Sequence, residues 1–422
     1  NRYFNKQYGK RYRNRQLSLS RRSYEVDANI QKGEIRLLKQ YRDKDCMQGI
    51  GMPAGSEFRK YPMDQEEMKA LIKEKRSRLV SQQMLIKEHR IPVFVLVDGW
   101  GAAGKGTLIG NLIKDLDPRF FSVITMKEPG EEELRKPFLW RYMETIPEAG
   151  KFVFLNSGWL NETVSDVICH RIKEQDLEKR LKQIGIFERQ LKDNGYLVVK
   201  LFLQISPSEQ KERLEKLREE KDTKWRVAEK DLLQVKKREK YEKVYDRILE
   251  ATHTASIPWN IIDAADKRQA LLQVLHLLTS QIDQAVENLN VLPEILHKDY
   301  PLLKMPLLSQ VPLDQEMTKE AYDIRLKELQ KKLKKLHNKI YRKRIPAIIA
   351  YEGWDAAGKG GNIKRLTSAL DPRGFEVHPI ASPEPHEKAR HHLWRFYHRL
   401  PKDGHIAIFD RTWYGRVMVE RL

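Results

Sequence analysis

The sequence predicts an α/β chain with two parallel sheets in tandem, each flanked by helices and the second cut short. Three observations predict it. The apolar runs Val93-Phe94-Val95-Leu96-Val97 and Ala347-Ile348-Ile349-Ala350-Tyr351 each read as a buried parallel strand. Each run passes through a glycine-rich turn with a lysine into a helical pattern. The two stretches also belong to one long repeat. Lys105 and Lys359 are 254 residues apart, and the same offset carries Asp117-Pro118-Arg119 onto Asp371-Pro372-Arg373 and Leu139-Trp140-Arg141 onto Leu393-Trp394-Arg395. Roughly a third of positions 91–163 are identical to their partners, with no gap. Solenoid units run to about 20–50 residues, so a period this long describes whole domains.

Each element follows from local pattern. Residues 1–60, rich in arginine and tyrosine, read as a basic, disordered arm. The first domain spans 61–290. Its opening stretch, 64–90, and the matching stretch 318–344 are charged helices with apolar residues at helical spacing; Leu326, Leu329, Leu333 and Leu336 mark one face. Leu197 to Ile205 reads as a strand, and Ser206-Pro207-Ser208-Glu209 as a capped helix start. The densely charged 209–250 reads as a lid over phosphates or a solvated helical pair. Ile257 to Lys267 reads as a last strand and loop. Residues 291–315, with Pro293, Pro301, Pro306 and Pro312, form the linker, and the second domain spans 316–422. Leu422 corresponds to position 168 of the first copy. The second domain is therefore expected to lack a C-terminal portion on the order of 120 residues, including its lid, which leaves activity of this fragment in doubt.

Composition narrows the function classes. Lys plus Arg total 79 against 59 Asp plus Glu, giving a formal +20 and a pI near 9.6. Such an excess attracts polyanions. Cys46 and Cys169 are far apart and lack metal-ligand spacing, which excludes a disulfide scaffold and fits a reducing, cytoplasmic setting. No apolar run approaches the roughly 18–20 residues of a membrane helix, so no membrane partner is expected.

The chemistry concentrates in the second copy. In Gly353-Trp354-Asp355-Ala356-Ala357-Gly358-Lys359-Gly360-Gly361, the backbone of Gly353, Ala356, Ala357, Gly358, Gly360 and Gly361 is placed to cradle phosphate, with Lys359 as the cation. Gly360 stands where the usual pattern has a hydroxyl for magnesium. Asp355 is a carboxylate among phosphates, which makes sense with a cation between them. The strand His405 to Phe409 ends in Asp410, in position for a second metal-directed carboxylate, and Arg411 follows with a fork that matches phosphate oxygens. Arg416, Glu420 and Arg421 fall on one side of the next helical stretch. His386, His391 and His392 match no zinc spacing and read as part of a substrate-lining loop and helix. Trp394 reads as core, while Arg395 could reach phosphate.

The first copy keeps Lys105 and its glycines but has Gly101, Asn156, Ser157 and Leu160 where the second has Asp355, Asp410, Arg411 and Tyr414. Without the carboxylates and the arginine it reads as catalytically impaired, serving structure or anion binding through Lys105.

Several long strings resemble the polyphosphate kinase 2 family: the Lys359 loop, Leu393-Trp394-Arg395, Phe409-Asp410-Arg411-Thr412-Trp413-Tyr414-Gly415-Arg416-Val417-Met418-Val419-Glu420-Arg421, and in the first copy Ile205-Ser206-Pro207-Ser208-Glu209-Gln210 and Pro258-Trp259-Asn260-Ile261-Ile262. The resemblance covers about 60–422, and the tandem arrangement looks like the two-domain polyphosphate:AMP phosphotransferase subgroup. It implies P-loop nucleotide-kinase-like domains, inorganic polyphosphate and a purine nucleotide (AMP or ADP) as substrates, and magnesium. It assigns Lys359, Asp355, Asp410 and Arg411 to catalysis, with Asp355 and Asp410 on the metal and Glu420 and Arg421 near the nucleotide. A homo-oligomer is expected. The competing readings are an ATP-dependent nucleotide kinase and a basic nucleic-acid-binding protein; base-reading motifs are absent, so nucleic acid is not expected as partner.

Overall fold

The structure, a computed structural model, describes residues 64–290 and 307–418. The basic segment 1–60 and most of the proline-rich linker lie outside the described residues.

In the first copy α1 (Gln65–Glu88) buries Met68, Ile72, Leu79 and Ile86 along one face. There follow β1 (Val93–Gly99), α2 (Lys105–Leu112), β2 (Phe121–Thr125), α3 (Trp140–Glu144), β3 (Phe152–Asn156), α4 (Trp159–Ile168), α5 (Glu174–Asp193) and β4 (Leu197–Gln204). Then come α6 (Pro207–Glu219), α7 (Glu229–Lys236), α8 (Arg238–Thr252), β5 (Trp259–Asp263) and α9 (Lys267–Glu287). The five strands form one parallel sheet in the order β2-β3-β1-β4-β5. β1 is central and every residue in it is buried, which is why it reads as a continuous apolar run rather than an alternation. Ser206 caps α6 by accepting from the Glu209 amide (3.2 Å).

In the second copy α10 (Lys319–Lys343), β6 (Ala347–Tyr351), α11 (Lys359–Thr367), β7 (Phe375–Pro379), α12 (Pro385–Lys388), α13 (Trp394–Tyr397), β8 (Ile406–Asp410) and α14 (Gly415–Met418) build a parallel sheet in the order β6-β8-β7. Its register repeats that of the first. Val97 sits opposite Asn156 and Tyr351 opposite Asp410; Phe121 sits opposite Phe152 and Phe375 opposite Ile406. Each pair is displaced by the same 254 residues.

The cores differ. One large cluster fills the first copy, whereas the second has two small ones, around Ile408 and around Phe409. Phe94 in β1 is 0% exposed; its counterpart Ile348 in β6 is 45% exposed. β1 is flanked by β3 and β4, and α1 is covered by α9. Among the described residues, β6 pairs on one edge only and α10 buries only His337 fully.

The two copies pack through the same surface. The Ala149 amide donates to Ala389 O (2.7 Å), and the Asp403 amide donates to Arg135 O (2.8 Å). These are one contact made twice with the roles exchanged, the signature of an isologous, two-fold-like interface. Arg390 pairs with Glu148 (2.8 Å) and Lys402 with Glu132 (2.9 Å) around it.

Candidate active site

The site of the second copy grows from the ends of two neighbouring strands. β6 ends at Tyr351, and the chain turns through a loop that needs left-handed backbone at Ala356 (φ 61°) and Gly358 (φ 86°). An alanine there costs steric energy that glycine would not, so the loop shape is enforced by its surroundings. The ammonium of Lys359 folds back and donates to Gly353 O (2.8 Å) and Trp354 O (2.9 Å), strapping the first turn of the loop.

β8 lies beside β6 and delivers Asp410 next to this loop. The next residue, Arg411, is also left-handed (φ 70°), with its amide donating to Tyr351 O (3.0 Å). That turn throws the guanidinium back across the loop, where Nη2 meets Asp355 Oδ1 at 3.1 Å. An open groove of about 510 Å³ results, lined by the loop from Asp355 to Gly360, by Pro379 at the end of β7 with Ile380 and Ala381 beyond it, and by Asp410 and Arg411. It sits at the carboxyl ends of the strands, where open parallel sheets bind ligands.

Of the residues singled out from sequence, Asp355, Ala356, Ala357, Gly358, Lys359, Gly360, Asp410 and Arg411 meet at this groove. Gly353 and Gly361 shape the loop and the first turn of α11 without lining it. Arg416 lies exposed on α14. Glu420 and Arg421 lie outside the described residues.

Two expectations change. Arg395 is buried, donates to Ala381 O (2.7 Å) and pairs with Glu387 (3.5 Å). It therefore props the groove wall rather than reaching phosphate; Arg141 makes the equivalent bond to Lys127 O (2.7 Å) in the first copy. The histidine segment does not line the groove either. His391 is buried against the first copy, its amide donating to the Tyr196 hydroxyl (2.9 Å), and burial lowers its pKa to about 4. Trp394 packs against the core of the first copy, not its own.

Glu352 is a site residue that the sequence reading passed over. Its Oε1 accepts from the Thr412 amide (2.7 Å) and hydroxyl (2.6 Å), pinning the turn that follows Asp410. The signal was present: Asp98, at the same place in the first copy, is also acidic and accepts from the Gly158 amide (2.8 Å).

Asp355 is 89% exposed and Asp410 half-buried on the same groove. Among the described residues no cluster of three or more His, Cys, Asp or Glu could form a metal cage. Two carboxylates facing an open groove suit a hard cation that keeps several waters and shares phosphate oxygens. They do not suit a closed tetrahedral site.

The first copy repeats the backbone and not the chemistry. Ala102, Gly104 and Ser157 carry the same left-handed angles (φ 59°, 91° and 65°). Lys105 straps its loop by donating to Gly99 O (3.1 Å) and Trp100 O (2.8 Å). Trp354 is 83% exposed, but its counterpart Trp100 is fully buried, with the Arg238 guanidinium 3.4 Å above its ring and Tyr245 at 4.8 Å. The predicted lid region, α6 to α8, packs onto this loop.

The sequence profile "Polyphosphate kinase 2" matches residues 62–290 and 316–422. A Pseudomonas aeruginosa protein named polyphosphate:AMP phosphotransferase is 33% identical over 357 residues, covering 84% of this chain and 72% of the relative. One of the same name from Pseudomonas syringae pv. tomato is 32% identical, covering 86% and 74%. Among solved structures, a polyphosphate kinase 2 from Pseudomonas aeruginosa PA01 superimposes with a TM-score of 0.70 at 31% identity, over 86% of this chain and 72% of that one. No described helix is long and apolar enough to cross a membrane.

Proposed function

The chain belongs to the polyphosphate kinase 2 family, and on that premise we propose that it transfers a phosphoryl group from inorganic polyphosphate to AMP, giving ADP, in the groove at the Lys359 loop. The observation that carries this reading is the convergence of Lys359, Asp355, Asp410 and Arg411 on one groove at the strand ends.

The reaction needs positioning and charge neutralisation more than covalent chemistry. An oxygen of the AMP phosphate attacks the terminal phosphorus of polyphosphate in line. The bond from that phosphorus to its bridging oxygen breaks, and the polyphosphate leaves one unit shorter with the electron pair. The attacking oxygen is already ionised at neutral pH, so no general base is required. The loop amides from Ala356 to Gly360 and the Lys359 ammonium hold phosphate oxygens. Arg411, held at the groove wall by Asp355, is placed to clamp the transferring group. Asp355 and Asp410 would hold magnesium, which would supply charge neutralisation to the phosphates. In this reading the second copy is the working domain, and the first is its packing partner.

The test is ADP formation from AMP, polyphosphate and magnesium, followed in parallel with polyphosphate binding. Asp410→Asn should lower turnover by about 10²–10³-fold, the scale of losing one preorganised electrostatic group. Lys359→Ala should weaken polyphosphate binding. Full activity in Asp410→Asn would overturn the mechanism, and ADP formation that requires ATP instead of polyphosphate would reassign the donor.

A further inference from the structure

The first loop is occupied from within. A methyl group placed on Gly101 would lie 2.3 Å from Asp231 Oδ1 and 3.0 Å from its Cγ, so the α7 carboxylate rests directly against the loop where the second copy carries the Asp355 side chain. Gln234, one turn further on, accepts the Gly101 amide on its Oε1 (2.7 Å). Gln210 donates to Gly101 O (3.3 Å) and to the same Gln234 oxygen (3.1 Å). Burial lowers the Lys105 pKa, and among the charges acting on it the Asp231 carboxylate opposes that shift most, ahead of Asp98.

We propose that the first loop is a phosphoanion cradle held shut by the chain's own α7, with the Asp231 carboxylate and the Gln234 amide oxygen in the place of phosphate oxygens, and that opening it exposes a second phosphoanion site centred on Lys105. A loop that keeps its lysine, its left-handed turns and its helix start keeps the means to bind an anion. It lacks only a vacant seat. The same geometry explains Gly101: an aspartate there would collide with Asp231 and place two carboxylates together. The carboxylate at this position has in effect moved from the loop to the lid. This inference is independent of the reaction proposed for the second groove, because its readout is binding at the first loop.

The experiment uses the full chain carrying Lys359→Ala, which silences the second loop, and titrates it with tripolyphosphate by calorimetry. The expected result has two parts. The parent shows no Lys105-dependent binding, and Asp231→Ala/Gln234→Ala tightens binding by about tenfold or more, a gain abolished by Lys105→Ala. A parallel titration with AMP shows whether the opened seat takes a nucleotide phosphate as well as a bare chain. Lys105-dependent binding already present in the parent would overturn the proposal, as would no gain in an opened variant with an unchanged melting temperature. Should the opened variant not fold, thermal unfolding of a mutant cycle decides. Gly101→Ala should lower the melting temperature when Asp231 is present and not when combined with Asp231→Gly. An equal loss in both backgrounds would refute the internal occupant.

Discussion

His398 Nδ1 lies 2.7 Å from Glu144 Oε1, and the two residues are 254 apart in sequence. They are the same position of the two copies, meeting where the repeat faces itself. The reciprocal backbone bonds at Ala149–Ala389 and Arg135–Asp403 flank this pair. A single chain thus builds within itself the self-complementary interface that ordinarily joins identical subunits.

That interface contains a buried hydrogen bond that can be deleted without changing side-chain shape. Tyr196→Phe removes the hydroxyl that accepts the His391 amide and leaves that N–H unsatisfied. We expect a loss of about 1–3 kcal/mol in denaturant unfolding, with faster amide exchange at 389–398 than in α4 or α5.

Acid should loosen the same place. Burial holds His391 neutral, with its pKa lowered to about 4, and Nδ1 accepts the Leu393 amide (3.1 Å). Below the ordinary imidazole value the unfolded chain binds a proton that the folded chain does not, so this contribution is lost as pH falls from about 6.5 towards 4, by at most about 3 kcal/mol. Asp98 works in the opposite sense. Its burial raises its pKa to about 6, so its contribution is present at low pH and lost as pH rises from about 4 to 6. Between pH 4 and 6 the two partly cancel. Stability should therefore rise more steeply with pH in Asp98→Asn and tilt the other way, towards falling as pH rises, in His391→Gln, as read by thermal melts across that range.

Inside the first sheet Lys200 on β4 pairs with Glu188 on α5 at 2.7 Å, both buried, and the ammonium also donates to Thr252 O (2.7 Å). Burial raises the Glu188 pKa and lowers that of Lys200, each against its charged form. Lys200→Met should cost about 3–5 kcal/mol by stranding the carboxylate, while Lys200→Met/Glu188→Leu should recover most of it. Chemical denaturation of the single and double variants checks this.

Glu352 offers a functional prediction. It touches Thr412 and does not line the groove, so it acts by positioning the turn that carries Asp410 and Arg411. Glu352→Ala should lower kcat by about 10–10²-fold with a smaller change in KM. Glu352→Gln keeps an acceptor for the Thr412 amide and should restore most of the loss. A drop that falls wholly on KM, or no rescue by glutamine, would contradict the positioning role.

Much of the fold was legible because its signals are local. Strand, turn and helix around Lys105 and Lys359 follow from apolar runs and glycines, and the 254-residue offset predicted that the copies match position by position, as the equivalent pairings of Val97 with Asn156 and of Tyr351 with Asp410 do. The groove residues Asp355, Lys359, Asp410 and Arg411 were found the same way. Arg395 and His391 were misread because a basic residue near a phosphate loop looks alike whether it faces ligand or packs away from it; Trp394 was read as core, but which core it joins was not legible. Their partners, Glu387, Tyr196 and the first core, are set by chain crossings that no local pattern encodes.

The sequence by itself determined that this protein carries two glycine-lysine loops and that only the second keeps carboxylates and an arginine beside its lysine. Residue type and spacing decide that much, since they are written position by position. Only the tertiary structure decided that Glu352 pins the Asp410 turn, that the copies meet through one self-complementary face, and that Asp231 rests against the first loop. Asp231 lies 130 residues from Gly101 in the chain. Contacts of that kind depend on how helices pack back over a sheet, which arises from burial summed over the whole core rather than from any one segment.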